Sequence, residues 1–399
     1  MPEIGSSFKT IENKTSVSQR LNGIEEYYFS KKLAAIEQMN RTGEEVINLG
    51  IGSPDMAPHP EVIQILQEAA SNKNNHAYQS YKGSIVLREA VAKWYKKWYQ
   101  VDLDPAKEIL PLAGSKEGIM HICMTYLDAG DGVLVPDPGY PTYRSAALLA
   151  GAKVYTYTLN KNNGWLPDLD ALEEMDLSSI KLMFVNYPHM PTGALPTEQF
   201  FEKLILFAKK HNILICHDNP YSFILNKKPV SLLAFDKGKD VVLELNSLSK
   251  SHNMAGWRVG FLCGNAERIS NVLRFKSNMD SGMFLPVQLA AAKALSLDQQ
   301  WFDDLNKIYS QRQKKAFKLL TNLNCELEKE QSGLFVWAQI PSQFNDAFEF
   351  TDEILNDCRV FITPGGIFGN AGNRFVRVSL CKEEKIFSEA IKKCKNFVQ

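Results

Sequence analysis

The clearest pattern of apolar and polar positions runs from Lys181 to Asp218. Leu182-Met183-Phe184-Val185 is a short unbroken apolar run, as in a strand buried on both faces. A Pro- and Gly-rich loop, Asn186 to Pro196, follows, and Thr197 with Glu198 behind it reads as a helix start. Phe200, Phe201, Leu204, Phe207 and Ala208 then recur at helical spacing. Lys209, Lys210 and His211 suit the negative C-terminal end of that helix, and Asn212 suits a left-handed stop. Ile213-Leu214-Ile215-Cys216 is the next buried run. The pattern predicts strand, helix, strand, with the two strands parallel and the crossover right-handed.

Ile109 to Leu112 predicts another strand. It ends in Ala113-Gly114-Ser115-Lys116-Glu117-Gly118, which opens a helix marked by Ile119, Met120, Cys123, Met124 and Leu127. Strands near Val133, Val154 and Gly260, and an apolar run from Val241 to Leu245, complete a sheet of about seven. The chain up to about Asn48 predicts helix, with Ile24, Leu33, Ala34, Ile36 and Met39 as its apolar positions. Beyond residue 290, long amphipathic helices alternate with short strands such as Leu334 to Ala338 and Phe375 to Leu380. The expected fold is α/β: a large domain over 49–290 with a mostly parallel seven-stranded sheet flanked by helices. Residues 1–48 form an arm and part of a smaller α/β domain, which 291–399 complete.

Loops that follow parallel strands emerge at one edge of the sheet, where open α/β folds bind ligands. The loop from Asn186, the segment His217-Asp218-Asn219-Pro220-Tyr221 and the residues after Leu245 are therefore expected to converge. The last of these carry Lys250, in Asn246-Ser247-Leu248-Ser249-Lys250-Ser251, with Gly256-Trp257-Arg258-Val259-Gly260 close behind. An amine set among small hydroxyls, with an arginine nearby, suits a Schiff-base lysine whose pKa is lowered by burial or by a neighbouring cation. The commoner fate of a lysine at a strand end is an exposed turn. Gly114-Ser115 at a helix N-terminus is suited to cradle a phosphate, because free N–H groups and the helix dipole both face the anion.

Composition narrows the partners. Forty-five basic and 45 acidic side chains balance to zero net charge and are interspersed, which gives no electrostatic reason to expect nucleic acid or an anionic membrane. The N-terminus, Met1 to Val17, is polar and lacks a secretory apolar core, and no apolar run approaches a membrane span. The seven cysteines are scattered, with no Cys-x-x-Cys pair or paired-histidine spacing. A cytoplasmic protein with reduced thiols and no metal site is expected. No dinucleotide fingerprint, P-loop, Gly-x-Ser-x-Gly elbow or His-Glu-x-x-His motif is present.

Taken in order, the motifs resemble the class I/II aminotransferases, pyridoxal 5'-phosphate enzymes of fold type I. The resemblance covers nearly the whole chain: Leu49-Gly50-Ile51-Gly52-Ser53-Pro54-Asp55, Tyr78 before Gly83, Gly114-Ser115-Lys116, and Asp137-Pro138-Gly139-Tyr140-Pro141. It continues through Pro191-Thr192-Gly193, Asp218 with Tyr221, Ser247-x-Ser249-Lys250, Arg258, Pro364-Gly365-Gly366-x-Phe368-Gly369 and Arg377-Val378-Ser379-Leu380. The resemblance implies that Lys250 holds the cofactor covalently and moves the proton during transfer. It implies that Asp218 pairs with the pyridine nitrogen and that Tyr221 donates to the phenolic oxygen. Gly114, Ser115, Ser247 and Arg258 would hold the phosphate, with Lys116 either adding to that grip or facing solvent; Ser249 would also bind the cofactor, and Tyr140 would stack on the ring. Arg377 and the backbone near Gly52 would bind the substrate α-carboxylate. Tyr78 would reach the phosphate of a second subunit, which makes a homodimer with active sites at the subunit interface the expected active unit.

One position departs from the family pattern. Its members usually carry Asn-Pro-Thr-Gly in the loop after the fourth strand, and that asparagine donates to the cofactor's phenolic oxygen. Here the run is His189-Met190-Pro191-Thr192-Gly193, and methionine cannot donate a hydrogen bond. The Schiff base is then expected to hold its proton more tightly unless His189 supplies the missing donor.

The function implied is amino-group transfer from an L-amino acid to a 2-oxo acid by a ping-pong mechanism. A carbon–sulfur β-lyase on the same fold is the enzymatic alternative, since both keep the arginine. A regulatory ligand-binding protein on this body would need a DNA-binding module. The nearest branch contains LL-diaminopimelate and alanine/aspartate-type aminotransferases, with Arg274 or Lys276 as candidate cations for an acidic substrate side chain.

Overall fold

The computed structural model describes residues 16–24, 26 and 28–397. Of the polar stretch Met1 to Val17, only Ser16 and Val17 fall among them. Seven strands build the main sheet: β1 (Ile109–Leu112), β2 (Gly132–Asp137), β3 (Lys153–Thr158), β4 (Ile180–Asn186), β5 (Leu214–Asp218), β6 (Val242–Ser247) and β7 (Gly260–Gly264). Their order across the sheet is β1-β7-β6-β5-β4-β2-β3. Only β7 runs against its neighbours; the other pairings are parallel.

The predicted crossover is present. β4 and β5 pair in parallel with Asn186 opposite Asp218, and the helix Glu198–His211 connects them. The Thr197 hydroxyl accepts from the Phe200 amide, and Asn212 takes the left-handed conformation that ends the helix. Phe201, Leu204 and Ala208 face the sheet and are fully or almost fully buried. Because β4, β5 and β6 are buried on both faces, their side chains fill two cores, one on each side of the sheet. A buried carboxylate in β6 is fully satisfied: Glu244 accepts from the Tyr95 and Ser231 hydroxyls, the Leu232 amide and the His217 ring. This network ties β5 to β6 directly beside Asp218.

Segments from the two end regions of the chain pair with each other. Ile47–Asn48 pairs in parallel with Val360–Phe361. A four-stranded antiparallel sheet contains Thr363–Pro364, Phe375–Ser379, Phe335–Gln339 and Glu326–Leu327. Arg377 lies on its second strand, between Trp337 and Thr363.

Two local expectations change. The strand expected over Val241 to Leu245 extends to Ser247, and Lys250 sits in a one-turn helix, Leu248–Ser251, rather than in an open turn. The Ser247 hydroxyl accepts from the Ser249 amide and starts that turn of helix. The N-terminal helix spans Tyr28–Arg41 and leaves Ile24 outside it. Of its apolar positions, Phe29 and Ile36 are buried, but Leu33 is 39% exposed. Among the described residues, no helix is long and apolar enough to cross a membrane.

Candidate active site

The C-terminal ends of β4, β5 and β6 open into a cavity of about 530 Å³. Nearly all the side chains singled out in the sequence line it: Ser115, Lys116, Tyr140, Asp218, Tyr221, Ser247, Ser249, Lys250, Arg258 and Arg377, with Gly52 from the backbone. They arrive from several elements far apart in the chain, and the sheet-edge geometry brings them together.

Lys250 projects its amine into the cavity, where Nζ donates to the Gly52 carbonyl at 2.6 Å. Burial lowers its pKa, and the positive charges of Arg377 and Arg258 add to the effect, while the Cys381 thiol opposes it. A buried amine between two guanidinium groups is biased toward the neutral, nucleophilic form.

Asp218 ends β5. Its Oδ2 accepts from the Tyr143 hydroxyl at 2.8 Å, and its backbone carbonyl accepts from Asn186 at 2.6 Å. Among the described residues, Oδ1 has no donor. Burial pushes the carboxyl up to about 6, against the Tyr143 hydrogen bond and the charge of His217. A buried carboxylate oxygen with nothing to accept from needs a cationic donor in the cavity, such as a protonated ring nitrogen. Tyr221 lies nearby, its hydroxyl pKa raised chiefly by burial.

The anion end is built from close backbone approaches. Gly114 has φ +95°, and a Cβ there would collide with the Arg258 guanidinium. A Cβ on Gly260 would lie 2.8 Å from the Ser115 amide. Small residues therefore let Arg258 and the N-terminus of the helix Ser115–Tyr126 crowd one spot. The Ser247 hydroxyl lies 2.9 Å from the Ser249 hydroxyl and 3.2 Å from the Val259 carbonyl, which share its single proton as acceptors. Arg258, in the left-handed conformation, donates to Ala255. Lys116 follows Ser115, and its pKa is lowered by burial and then by Arg258. This cationic end, the orphaned Oδ1 of Asp218 and the neutral-leaning lysine together fit a phosphorylated pyridine aldehyde.

Arg377 is held between rings: its guanidinium carbon lies 3.9 Å from the centre of Phe335 and 4.7 Å from that of Phe368. Its Nη2 donates to the Gly50 carbonyl at 2.9 Å, and Nη1 points at the Met190 sulfur at 3.3 Å. The two neighbouring planes fix the fork's orientation, as bidentate carboxylate binding requires.

A model of the family "Aminotransferase class I and II" matches residues 44–392. The chain belongs to this family. It is a pyridoxal-phosphate-dependent aminotransferase of fold type I. Among its relatives, the LL-diaminopimelate aminotransferase of Dehalococcoides mccartyi strain CBDB1 is 41% identical over 379 residues, covering 94% of this chain and 97% of that protein. The enzyme of the same name from Moorella thermoacetica is 40% identical over 378 residues, with the same coverage. In structure, substrate-bound BacF from Bacillus subtilis superposes with a TM-score of 0.91 at 36% identity, covering 96% of this chain and 98% of that one.

Three residues of the aminotransferase site escaped the sequence reading. Tyr143 bonds to Asp218 and stacks on Phe184 with ring centres 4.7 Å apart. It lies three residues after Tyr140, one helical turn on, and that spacing was the available signal. Asn186 closes β4 and is tied to the Asp218 carbonyl and the Met190 amide. Phe335 stacks on Arg377 from a strand with no motif of its own.

Tyr78 stands apart. It is 90% exposed and does not line its own chain's cavity. Neither candidate for a second substrate cation lines it. Lys276 is 1% exposed and paired with Asp280 at 2.6 Å, and Arg274 faces solvent. His189, the other candidate donor, does not line the cavity; its Nδ1 meets the Thr192 hydroxyl and burial lowers its pKa to about 3.

Proposed function

We propose that Lys250 is the lysine that binds the cofactor, and that one cavity serves both halves of a ping-pong transfer between an L-amino acid and a 2-oxo acid. The observation that carries this reading is the convergence of a buried amine, an orphaned carboxylate oxygen and two separate arginines on one cavity.

Pyridoxal phosphate, when bound, supplies the electron sink that lets a Cα–H bond ionise. The protein supplies position and protons. Arg258, Ser115, Ser247, Ser249, Lys116 and the amide groups beside Gly114 hold the phosphate. Asp218 accepts the ring N–H at Oδ1 and keeps that nitrogen charged, while Tyr143 orients the carboxylate from its other oxygen. Tyr221 donates its hydroxyl toward the phenolic oxygen, and Tyr140 covers the ring. Arg377, with the Gly52 backbone, fixes the α-carboxylate and so the direction of the Cα–H bond. Lys250, whose Nζ lies in the cavity, would take that proton and give it back as the general acid and base of the transfer.

The exposed Tyr78 suits a contact with the phosphate of a second copy, so we propose a homodimer that completes each site. Seven buried, unbridged thiols suit a reducing compartment, and we place the protein in the cytoplasm. The division into an arm (1–48), a large domain (49–290) and a small domain (291–399) is likewise proposed; the pairing of Ile47–Asn48 with Val360–Phe361 supports it.

The test is the absorption spectrum of the purified protein with pyridoxal phosphate, followed by single L-amino acids without a 2-oxo acid, LL-diaminopimelate among them. Conversion of the aldehyde-form band to the amine-form band shows the half-reaction. Pyruvate and ammonia accumulating while the first band persists would show elimination instead.

A further inference from the structure

Among the described residues of one chain, the charged groups lining the cavity serve the cofactor and the α-carboxylate. Among the described lining residues, the cations are Lys116, Lys250, Arg258 and Arg377. Lys250 and Arg377 have roles at the reacting centre, and Lys116 and Arg258 crowd together at the anion end. What remains to receive a substrate side chain is Phe29, Leu33, Ile51, Met190, Phe335 and Phe368, with the hydroxyls of Ser30 and Ser53.

This wall lies around Arg377, where the substrate's own Cα must sit. Phe29 is 5.7 Å from the guanidinium carbon, Phe335 and Phe368 are closer, and the Met190 sulfur touches Nη1. Leu33 is the telling position. It shares one face of the helix Tyr28–Arg41 with Phe29 and Ile36, at spacings of four and three. Both neighbours are buried, yet Leu33 keeps 39% of its surface exposed and lines the cavity. An apolar side chain left open between two buried ones, at the mouth of a site, offers surface to a ligand.

We propose that this site selects amino acids with a large apolar side chain, aliphatic or aromatic, over dicarboxylic donors, and that Leu33 is a specificity-determining contact. The proposal rests on the aminotransferase reading above and names the substrate class for it. A carboxylate placed against Phe29, Leu33 and Ile51 would lose water and meet no cation among the described lining residues of this chain, whereas an isobutyl or benzyl group would gain contact.

The experiment uses the cofactor-loaded protein and two readouts. The first is the concentration of L-leucine, L-phenylalanine, L-glutamate or L-aspartate that half-converts the absorption band. The second is binding of two unreactive acids, 3-phenylpropionate and glutarate, followed by calorimetry. The apolar donors are expected to act at concentrations about tenfold lower or better, with 3-phenylpropionate the tighter ligand. Leu33→Ala should weaken the apolar donors and leave glutamate where it was. Leu33→Arg, at an exposed helical position that tolerates charge, should shift the preference toward glutamate by about tenfold. Acidic donors that match or outdo the apolar ones in the unaltered protein would overturn the substrate class while leaving the aminotransferase reading intact. A band that no amino acid converts would overturn that reading, and the substrate class with it.

Discussion

Replacing Arg377 by lysine keeps the charge and removes the fork. In the structure the guanidinium is clamped between Phe335 and Phe368, with Nη2 anchored on Gly50. A lysine ammonium reaching the same place can offer a carboxylate one directed hydrogen bond instead of two parallel ones, and it does not stack as a plane. One charge-assisted hydrogen bond contributes about 1.5–3 kcal/mol, and part of the aromatic stacking is lost with it. A loss of about 2–3 kcal/mol in donor binding follows, which is roughly a 30- to 150-fold increase in the concentration needed for half-conversion. The assay is the single-turnover conversion of the absorption band over a range of donor concentrations. Affinity should fall most; the limiting rate at saturating donor should fall less, through looser alignment of the Cα–H bond, because Lys250 and Asp218 are untouched. A melting temperature close to that of the unaltered protein checks that the strand Phe375–Ser379 still packs. An unchanged concentration dependence would refute the assignment and leave Arg377 as a packing residue.

Other expectations follow from the same geometry. The Asp218 carboxyl, raised from 3.8 to about 6 by burial, holds its proton more tightly folded than unfolded. Its contribution to the stability of the cofactor-free protein is therefore fully present below pH 4 and lost as pH rises through 6, on the order of 3 kcal/mol. The cofactor-free melting temperature should fall across that window relative to Asp218→Asn, and saturating cofactor should reduce the difference; parallel pH profiles would contradict this. Gly114→Ala combines an unfavourable φ with a collision against Arg258, so cofactor affinity should drop at least about tenfold, measured by equilibrium titration. Met190→Asn restores a donor near the phenolic oxygen and should lower the pKa of the cofactor's Schiff base in a spectral pH titration; identical titrations would show that Met190 does not govern it.

The fold was readable where local pattern and tertiary environment agree. Fully buried strands such as Ile180–Asn186 appear as apolar runs because both faces are covered, and the helix Glu198–His211 carries its own start and stop signals at Thr197 and Asn212. The parallel arrangement then dictated that Asp218, Asn186 and Lys250 emerge together. Lys250, Asp218 and Arg258 were legible because their types and order are rare in combination. Phe335 was not, since its role depends on a register in which Trp337 faces Arg377 and Phe335 faces Ser379, and no local signal encodes that pairing. The openness of Leu33 to the cavity is hidden from the sequence for a related reason. Helical periodicity shows which residues share a face, but not whether that face meets packed core or an open cavity. Tyr78, 90% exposed on its own chain, has a role only if a second copy supplies the other half of its contact.

The central claim is that Lys250 carries the cofactor, and chemical trapping tests it most directly. The loaded protein is reduced with borohydride, digested, and its peptides are mapped by mass spectrometry. The account predicts one pyridoxyl group, on the peptide containing Lys250, and none on the Lys250→Ala variant, which should bind the cofactor only weakly. Label on Lys116 or another lysine, or a protein that binds the cofactor without any reducible linkage, would contradict it.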